Sequence, residues 1–281
     1  QKSVFTLKRM FLILAVVIDT DENGYLDIDA LEKKIRKNTK AIIVNHASNV
    51  LGTVQNIKAI GKIAKDYGII FIVDASQSAG TIDINVQDCN IDLIAFPGHK
   101  GLFGPQGTGG LYIKEGLILE AFKEGGTGSN SHSMIQPDFL PDRFESGTLN
   151  TPGIAGLCEG LKFIRKVGRK NIQNHEEDLA KDLLEELQKL SYIKIYGPLN
   201  AENRSAVVSI NIDGMDSSHV GYLLNKKGIA VRTGYHCAPL IHRIIGTLNK
   251  GTVRISPGYF NSFQDIEAVV KAIKDIYNYR L

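Results

Sequence analysis

Three short polar clusters follow directly after apolar runs in the first 100 residues, and they carry the side chains most suited to chemistry. The clusters are Asn45-His46-Ala47-Ser48-Asn49, Asp74-Ala75-Ser76-Gln77 and Pro97-Gly98-His99-Lys100. Each begins where an apolar run typical of a strand ends. Because the carboxyl ends of parallel strands meet at one edge of a sheet, where ligands bind, the three clusters are predicted to lie together.

The acid Asp74 and the amine Lys100 match the two groups that pyridoxal phosphate requires. This cofactor needs a lysine for its Schiff base and an acid that keeps its pyridine nitrogen protonated, so that the ring can accept electrons from a carbanion. Singly, Lys100 is more simply a solvated lysine and Asp74 a helix cap. Jointly, with Gly98 and Gly101 on either side of His99 and Lys100, they favour the cofactor interpretation.

A second reactive group is predicted near the C-terminus, in Arg232-Thr233-Gly234-Tyr235-His236-Cys237-Ala238. A cysteine beside a histidine and five residues after an arginine can serve as an exposed nucleophile. Most lone cysteines are small core hydrophobes, and this is the interpretation for Cys89 and Cys158. Arg254 lies opposite the apolar positions of an alternating run, so it is either a surface charge or a fork for a substrate carboxylate.

The elements that must position these residues alternate between strand and helix in the first half. The apolar runs predicted as strands, expected to be covered on both faces, are Phe11–Ile18, Ala41–Val44, Ile69–Val73, Leu93–Phe96 and Gly110–Ile113. Apolar residues from Ile57 to Ala64 recur at helical spacing between two of them. Strand, helix and strand form a βαβ unit, which predicts an α/β fold with a mainly parallel sheet.

The first apolar run also has the layout of a secretory signal, since Lys2, Lys8 and Arg9 precede Met10–Ile18. It ends in acidic residues without a small-residue cleavage site, and it is far shorter than the ~20 residues of a membrane span. A buried strand is the favoured interpretation. The chain begins with Gln rather than Met, so its true start is predicted to lie elsewhere.

The second half has a different character. Residues 124–148 are rich in Gly, Ser, Thr and Asn and predict a long functional loop. Two helices follow, at 153–167 and 174–190, the second with a leucine stripe. Alternation at 208–212 and 253–255 then predicts an antiparallel sheet with one solvated face. A last helix, capped by Ser262 and Asp265, completes a smaller α+β domain. The predicted domains are 1–155, which binds the cofactor, and 156–281.

Composition excludes several classes of protein. Hydrophobic residues make up 43% and charged residues 22% of the 281 residues, which is globular and neither disordered nor collagen-like. A net charge of +3 without a basic block predicts no nucleic-acid partner, and no membrane partner is expected. Three widely spaced cysteines suit neither a disulfide framework nor a zinc site, so the reducing cytoplasm is the predicted location.

One motif resembles a calcium-binding loop, since Asp19, Asp21, Asn23 and Gly24 have the spacing of its first positions. The twelfth position, where a bidentate glutamate should complete the shell, is Ala30. A turn with local side-chain hydrogen bonds is the favoured interpretation, and no metal is predicted.

The motifs at 49, 74, 100, 232–238 and 254–256 together resemble the class V aminotransferase superfamily, specifically its cysteine desulfurases and selenocysteine lyases. The resemblance runs from about Asp19 to the C-terminus. It implies a homodimer with the fold of type I transferases that depend on pyridoxal phosphate: a large domain with a mainly parallel sheet and a smaller α+β C-terminal domain.

The resemblance also implies roles in cofactor binding. Lys100 would carry pyridoxal 5'-phosphate, and Asp74 would pair with its pyridine nitrogen. Gln77 would contact the ring hydroxyl and His99 the phosphate. Thr148 matches a threonine that reaches the phosphate of the neighbouring subunit.

For the substrate, the resemblance implies that Asn49 and Arg254 hold the carboxylate of L-cysteine. Cys237 matches the nucleophile that takes the sulfur, with Arg232 and His236 beside it. The implied products are L-alanine and an enzyme persulfide. A sulfur-acceptor protein, in iron-sulfur cluster assembly or sulfur trafficking, would collect the sulfur.

Three departures from the family pattern keep alternatives open. Pro97 stands where a serine commonly binds the phosphate, and Tyr235 stands where a second histidine is common. The phosphate-binding loop and the histidine that stacks on the cofactor would lie before residue 1, so the large domain is predicted to be N-terminally incomplete. The alternatives are a selenocysteine lyase, another class V aminotransferase or lyase, and a catalytically impaired, dimerising remnant that lacks the cofactor.

Overall fold

The computed structural model describes residues 15–202 and 204–278, and a four-stranded sheet organises the N-terminal half. Its strands and helices are β1 (Ala41–Asn45), β2 (Ile70–Asp74), β3 (Leu93–Pro97), β4 (Gly109–Ile113), α1 (Ile28–Lys33) and α2 (Ile57–Asp66). The strand order is β1-β2-β3-β4. The first three strands are parallel and β4 is antiparallel to β3. The predicted βαβ unit is therefore confirmed as β1, α2 and β2.

Helix α2 begins where the side chain of Asn56 accepts a hydrogen bond from the backbone N–H of Ala59. Its buried residues pack with Ile42 and Val44 on one face of the sheet. The prediction that this strand is covered on both faces is wrong, because Ile43 is 50% exposed. At Ile43, the described residues cover only the face of β1 that packs against α2.

The predicted first strand is wrong where the structure describes it. Residues 15–18 form no strand, and Val16 and Val17 are exposed. The remainder of that run, and most of the signal-like segment, lies outside the described residues. After it, the side chain of Asp21 accepts a hydrogen bond from the backbone N–H of Tyr25 at 2.8 Å. The calcium-like motif thus forms the predicted turn.

A second four-stranded sheet organises the C-terminal half. Its strands and helices are α3 (Thr151–Val167), α4 (Arg169–Gln188), β5 (Ile193–Tyr196), β6 (Val208–Ile212), α5 (Ser217–Lys226), β7 (Arg232–Gly234), α6 (Pro239–Ile244), β8 (Thr252–Ile255) and α7 (Phe263–Asn278). The order is β5-β6-β8-β7, and neighbouring strands are antiparallel. Residues 114–150 link the halves through a loop with one 3-10 turn at Asp142–Phe144.

The core of this half is one apolar cluster between the sheet and helices α4, α5 and α7. The predicted leucine stripe supplies Leu179, Leu183 and Leu187, all fully buried. The predicted cap of the last helix is confirmed, since Ser262 N–H donates to the Asp265 carboxylate at 2.8 Å. The domain boundary near residue 155 stays a prediction.

Two predictions about burial in this half are wrong. Strand β6 has no solvated face: Ser209 donates to the carbonyl of Val50, and Asn211 donates to the carbonyl of Gly251. Loops therefore cover the face that the alternation assigned to water. Cys158 is exposed rather than buried, because α3 turns Gly160 and Ile164 inward instead. Cys89 is buried as predicted.

Within the described ranges, no helix combines the length and apolar character that crossing a membrane requires. The same residues contain no group of three or more His, Cys, Asp or Glu side chains placed to hold a metal ion.

Candidate active site

The three predicted polar clusters meet at one edge of the first sheet. In the parallel register, Asn45 lies beside Asp74, and Asp74 lies beside Ala95 two residues before β3 ends. The backbone N–H of His46 donates to the carbonyl of Asp74 at 2.9 Å. The loops after β1, β2 and β3 therefore leave the sheet together, as the sequence predicted.

Asp74 and Lys100 lie within electrostatic reach of each other. The carboxylate of Asp74 accepts a hydrogen bond from the backbone N–H of Ser76 at 2.9 Å, which fixes its direction at the strand end. Although the Lys100 side chain is exposed overall, desolvation is the largest of the causes that act on its amine, and its pKa is lowered. The Asp74 carboxylate opposes that shift, the Arg254 cation adds to it, and the Cys237 sulfur opposes it. Three charged or reactive side chains from distant parts of the sequence thus influence the amine of Lys100.

Close backbone packing brings the Lys100 turn against the loop that follows Asp74. A Cβ atom on Gly101 would lie 2.6 Å from the carbonyl oxygen of Ala79. One on Gly80 would lie 2.1 Å from the carbonyl oxygen of Gly101, and Gly80 has a φ of +91°. No side chain fits at either position. The sequence pointed to Gly101 but not to Gly80.

Cys237 sits on a turn between β7 and α6 that approaches the same edge. Arg232 places its Nη2 atom 3.9 Å from the Cys237 Sγ. The Nδ2 atom of Asn49 donates to the carbonyl of His236 at 2.5 Å, and Arg254 donates to the carbonyl of Asn49 at 3.1 Å. The loop after β1 is therefore tied to both elements of the second sheet that carry candidate residues.

Buried imidazoles lie behind the cysteine. His236 Nε2 is 2.9 Å from the hydroxyl of Thr252. Its pKa is lowered to about 4, first by burial and then by electrostatic interactions with Arg254, His242 and Arg232. His242 is fully buried, with Nδ1 at 2.6 Å from the Thr247 hydroxyl, and burial lowers its pKa too.

Sequence reasoning missed three members of this buried group, namely His242, Thr247 and Thr252. Each is fully buried. The spacing of His242, five residues after Cys237, was the only available signal, and it does not reveal burial. His236 itself was predicted, as a neighbour of the nucleophile.

The remaining predicted cofactor residues are Gln77, His99 and Thr148. Gln77 is half-buried in the loop after β2, and His99 is exposed beside Lys100. Thr148 is exposed at the end of the long loop. The assigned roles of all ten site residues stay predictions.

The residues present fit pyridoxal phosphate and an amino-acid substrate. Arg254 is half-buried, and its Nε atom has no hydrogen-bond partner among the described residues. A buried, partnerless guanidinium N–H favours an anion such as a carboxylate. The acid and the amine that the cofactor requires stand at the adjacent strand ends.

Comparison with known proteins agrees with this geometry. The sequence matches the family "Aminotransferase class-V" over residues 12–269. The chain belongs to the class V aminotransferase family. Members of this family depend on pyridoxal phosphate. The predicted superfamily and the predicted fold class are both confirmed.

Within the class V family, the chain is similar to proteins named as cysteine desulfurases. It is 36% identical over 267 residues to a probable cysteine desulfurase of Methanothermobacter thermautotrophicus, covering 92% of this chain and 66% of that one. It is 37% identical to one of Pyrococcus abyssi, covering 92% and 65%. It thus spans just under two thirds of these relatives.

A solved structure of a cysteine desulfurase is also similar to this chain. The apo structure of a cysteine desulfurase from Thermococcus onnurineus NA1 matches with a TM-score of 0.87 and 36% sequence identity. The match covers 97% of this chain and 68% of that one. Similarity in fold therefore extends over both sheets described above.

Proposed function

We propose that this chain forms the catalytic part of a cysteine desulfurase that depends on pyridoxal phosphate. The observation that carries the proposal is geometric: Asp74 and Lys100 follow the adjacent strands β2 and β3, and the loop after β1 is hydrogen-bonded to Arg254 and to the Cys237 turn. The desulfurase names of relatives at 36% and 37% identity support it. The substrate would be L-cysteine and the products L-alanine and a persulfide on Cys237.

Five residues would hold the cofactor. Lys100 would bind it covalently, Asp74 would keep its pyridine nitrogen protonated, and Gln77, His99 and a partner subunit's threonine at position 148 would contact its polar groups. When bound, the cofactor supplies an electron sink for negative charge at the substrate Cα. Pro97 offers neither a hydroxyl nor an N–H, so it contributes no bond to the phosphate.

Arg254 and Asn49 would orient the substrate. The partnerless Nε of Arg254 offers a charge-assisted hydrogen bond to the substrate carboxylate. Its Nη1 already donates to the Asn49 carbonyl, so the two residues form one unit. Lys100 would take the proton from Cα, and the lowered pKa of its amine increases the neutral fraction that can do so.

The sulfur would pass to Cys237 in a balanced step. The Cys237 thiolate attacks the substrate sulfur and forms an S–S bond while the Cβ–S bond breaks. The electron pair of that bond goes to Cβ, which takes up a proton, and the proton that Lys100 removed from Cα is returned before alanine leaves. The persulfide on Cys237, beside Arg232, would then transfer its outer sulfur to an acceptor protein.

A homodimer is part of the proposal. The loop and helix between residues 117 and 161 expose a set of large apolar side chains, including Ile118, Phe122, Met134, Ile135 and Leu161. Apolar surface of this kind is typical of an interface. Sedimentation of the purified chain should give twice the monomer mass.

We place the protein in the cytoplasm because its three cysteines are free and the proposed chemistry needs a reduced thiol. Delivery of sulfur to iron-sulfur cluster assembly is the proposed use of the persulfide.

The first experiment tests the cofactor. Purified chain should turn yellow with added pyridoxal phosphate, and borohydride followed by peptide mapping should find the cofactor fixed on Lys100. Lys62, an exposed lysine on α2, is the matched control site and should stay unmodified. A colourless chain that never binds the cofactor would favour the impaired remnant.

The second experiment tests the reaction. L-cysteine should yield alanine and sulfide with a reductant present, and Cys237→Ser should abolish both. Cys158→Ser is the matched control, since Cys158 is also exposed, and it should leave the rate unchanged. Turnover that survives Cys237→Ser would instead indicate another class V aminotransferase or lyase. Faster turnover of selenocysteine that persists in Cys237→Ser would indicate a selenocysteine lyase.

A further inference from the structure

The turn that carries Cys237 places two consecutive residues in the left-handed region of the backbone map. His236 has a φ of 49° and Cys237 a φ of 63°, and neither is glycine. Residues with a Cβ atom keep this conformation only where surrounding contacts hold them in it. The thiol is exposed, so the contacts that hold the turn must lie on its buried side.

His242, on the short helix after the turn, supplies those contacts. Its ring centroid lies 5.8 Å from the ring of His236 and 5.4 Å from the ring of Tyr235, the latter edge-to-face. The Tyr235 hydroxyl donates to the carbonyl of Leu248. The Thr247 hydroxyl, 2.6 Å from Nδ1, fixes the orientation of the His242 ring. One buried imidazole thus contacts the side chains of both residues before Cys237.

Packing alone does not explain a histidine at this position. His236 Nδ1 and His242 Nε2 are buried without a well-formed hydrogen bond among the described residues, although the backbone of Tyr235 interacts with the His242 ring. Burying a polar atom without a partner is unfavourable, and an apolar ring of similar volume would avoid that cost. The choice of histidine therefore indicates a directional role, which the bond to Thr247 provides.

We propose that His242 is a positioning residue for the nucleophile: oriented by Thr247, it holds His236 and Tyr235 and so keeps the Cys237 thiol beside Arg232. The inference rests on the proposed function, in which Cys237 takes the sulfur. His242 acts through the two side chains of the turn.

The test measures where the thiol lies, independently of cofactor and turnover. In a Cys158→Ser background, Cys237 is alkylated with iodoacetate and with iodoacetamide, and the two rates are followed by peptide mass spectrometry. The anionic reagent gains from Arg232 and Arg254, whereas a change in exposure affects both reagents. The ratio of the two rates therefore reports the position of the thiol relative to these cations.

We expect His242→Phe, which keeps the ring volume, to lower this ratio roughly fivefold, the effect of one close charge in water. Thr247→Val removes only the hydroxyl bond and should also lower the ratio. Thr247→Ser keeps the hydroxyl and should have the same ratio as the parent. If His242→Phe does not fold, the Thr247 pair carries the test alone.

Two controls separate positioning from loss of stability. Leu224→Ala removes a fully buried side chain from the main apolar cluster of the second half, and His219→Phe changes an exposed histidine on α5. Both should keep the parent ratio. An unchanged ratio in His242→Phe, equal ratios in Thr247→Val and Thr247→Ser, or an equal fall in Leu224→Ala would each overturn the proposal. None of these results depends on whether the chain releases alanine from cysteine.

Discussion

Lys100 and Cys237 stand on two sides of the candidate site and are held in different ways. The Lys100 turn is fixed by its backbone: Gly104 N–H donates to the carbonyl of Gly98 at 2.8 Å, and Gly80 packs directly on Gly101. The Cys237 turn is fixed by side chains, with Asn49 donating to the His236 carbonyl and Thr252 bonding the His236 ring.

This difference teaches which substitutions each side tolerates. The Lys100 side depends on the absence of side chains, so any added Cβ should disturb it. The Cys237 side depends on particular polar groups, so losing a hydroxyl or an imidazole should disturb it while small changes in volume do not. A backbone-fixed lysine suits a group that binds a cofactor in one place. Under the proposed function, a side-chain-fixed cysteine suits a group that receives sulfur and passes it on.

The largest expected effect comes from Gly80→Ala. The new Cβ would meet the Gly101 carbonyl at 2.1 Å, and φ is +91°. We expect the free energy of unfolding to fall by about 4 kcal/mol, from left-handed strain plus displacement of the Lys100 turn. Urea denaturation measures this loss.

Gly116→Ala is the matched control for Gly80→Ala. Gly116 has a similar φ of +82°, but nothing lies within 4 Å of its added Cβ. It should lose only about 1–2 kcal/mol, the strain alone. Equal losses in the two variants would show that close packing contributes nothing at the Lys100 turn.

A buried histidine also supports the Lys100 side, and acid should reveal it. His46 Nδ1 lies 2.9 Å from the Ser78 hydroxyl in the loop after β2, and burial lowers its pKa to about 4. Because the unfolded chain takes up this proton near pH 6.5 and the folded chain only near pH 4, stability falls as pH drops through this window.

The His46 contribution amounts to about 3 kcal/mol between pH 7 and pH 4. His46→Asn keeps a hydrogen-bonding group near Ser78 but does not titrate, so its unfolding free energy should decline that much less over the same window. Urea denaturation at a series of pH values gives the difference. If the unfolding free energies of parent and variant fall in parallel with pH, the protonation of His46 does not contribute to the stability of the folded chain.

The sequence predicted the Lys100 side better than the Cys237 side, for a physical reason. Asp74 and Lys100 each follow an apolar run, so a local pattern was enough to place them at one sheet edge. The burial of His242 depends on contacts with the Cys237 turn and with Thr247, which no local hydrophobic pattern reveals. Conversely, His236 and Cys237 could be predicted because a cysteine beside a histidine and near an arginine is a reactive combination of residue types, whatever its environment.

Burial errors have the same origin. Alternation in β6 predicted a wet face, but Ser209 bonds to Val50, a residue 159 positions away. The strand before residue 19 was predicted from composition alone, and residues 15–18 do not pair as a strand. Local periodicity identifies which residues share a face, and only the assembled fold determines what covers that face.

The smallest expected effect concerns the charges that link the two sides. Arg254 and Cys237 belong to the second sheet, yet they act on the amine of Lys100 together with Asp74. Arg254→Gln removes a cation that lowers the pKa of Lys100, so that pKa should rise. Asp74→Asn removes an anion that raises it, so that pKa should fall further.

Competitive trace acetylation with peptide mass spectrometry reads the fraction of neutral amine at Lys100, with exposed Lys62 as the internal reference. At fixed pH, the relative rate at Lys100 should decrease in Arg254→Gln and increase in Asp74→Asn. We expect changes below tenfold, since Lys100 is exposed and solvent screens both partners. If the relative acetylation rate at Lys100 changes in the same direction in both variants, the charges of Arg254 and Asp74 do not set the pKa of Lys100. The change in rate would then reflect only loosening of the Lys100 turn.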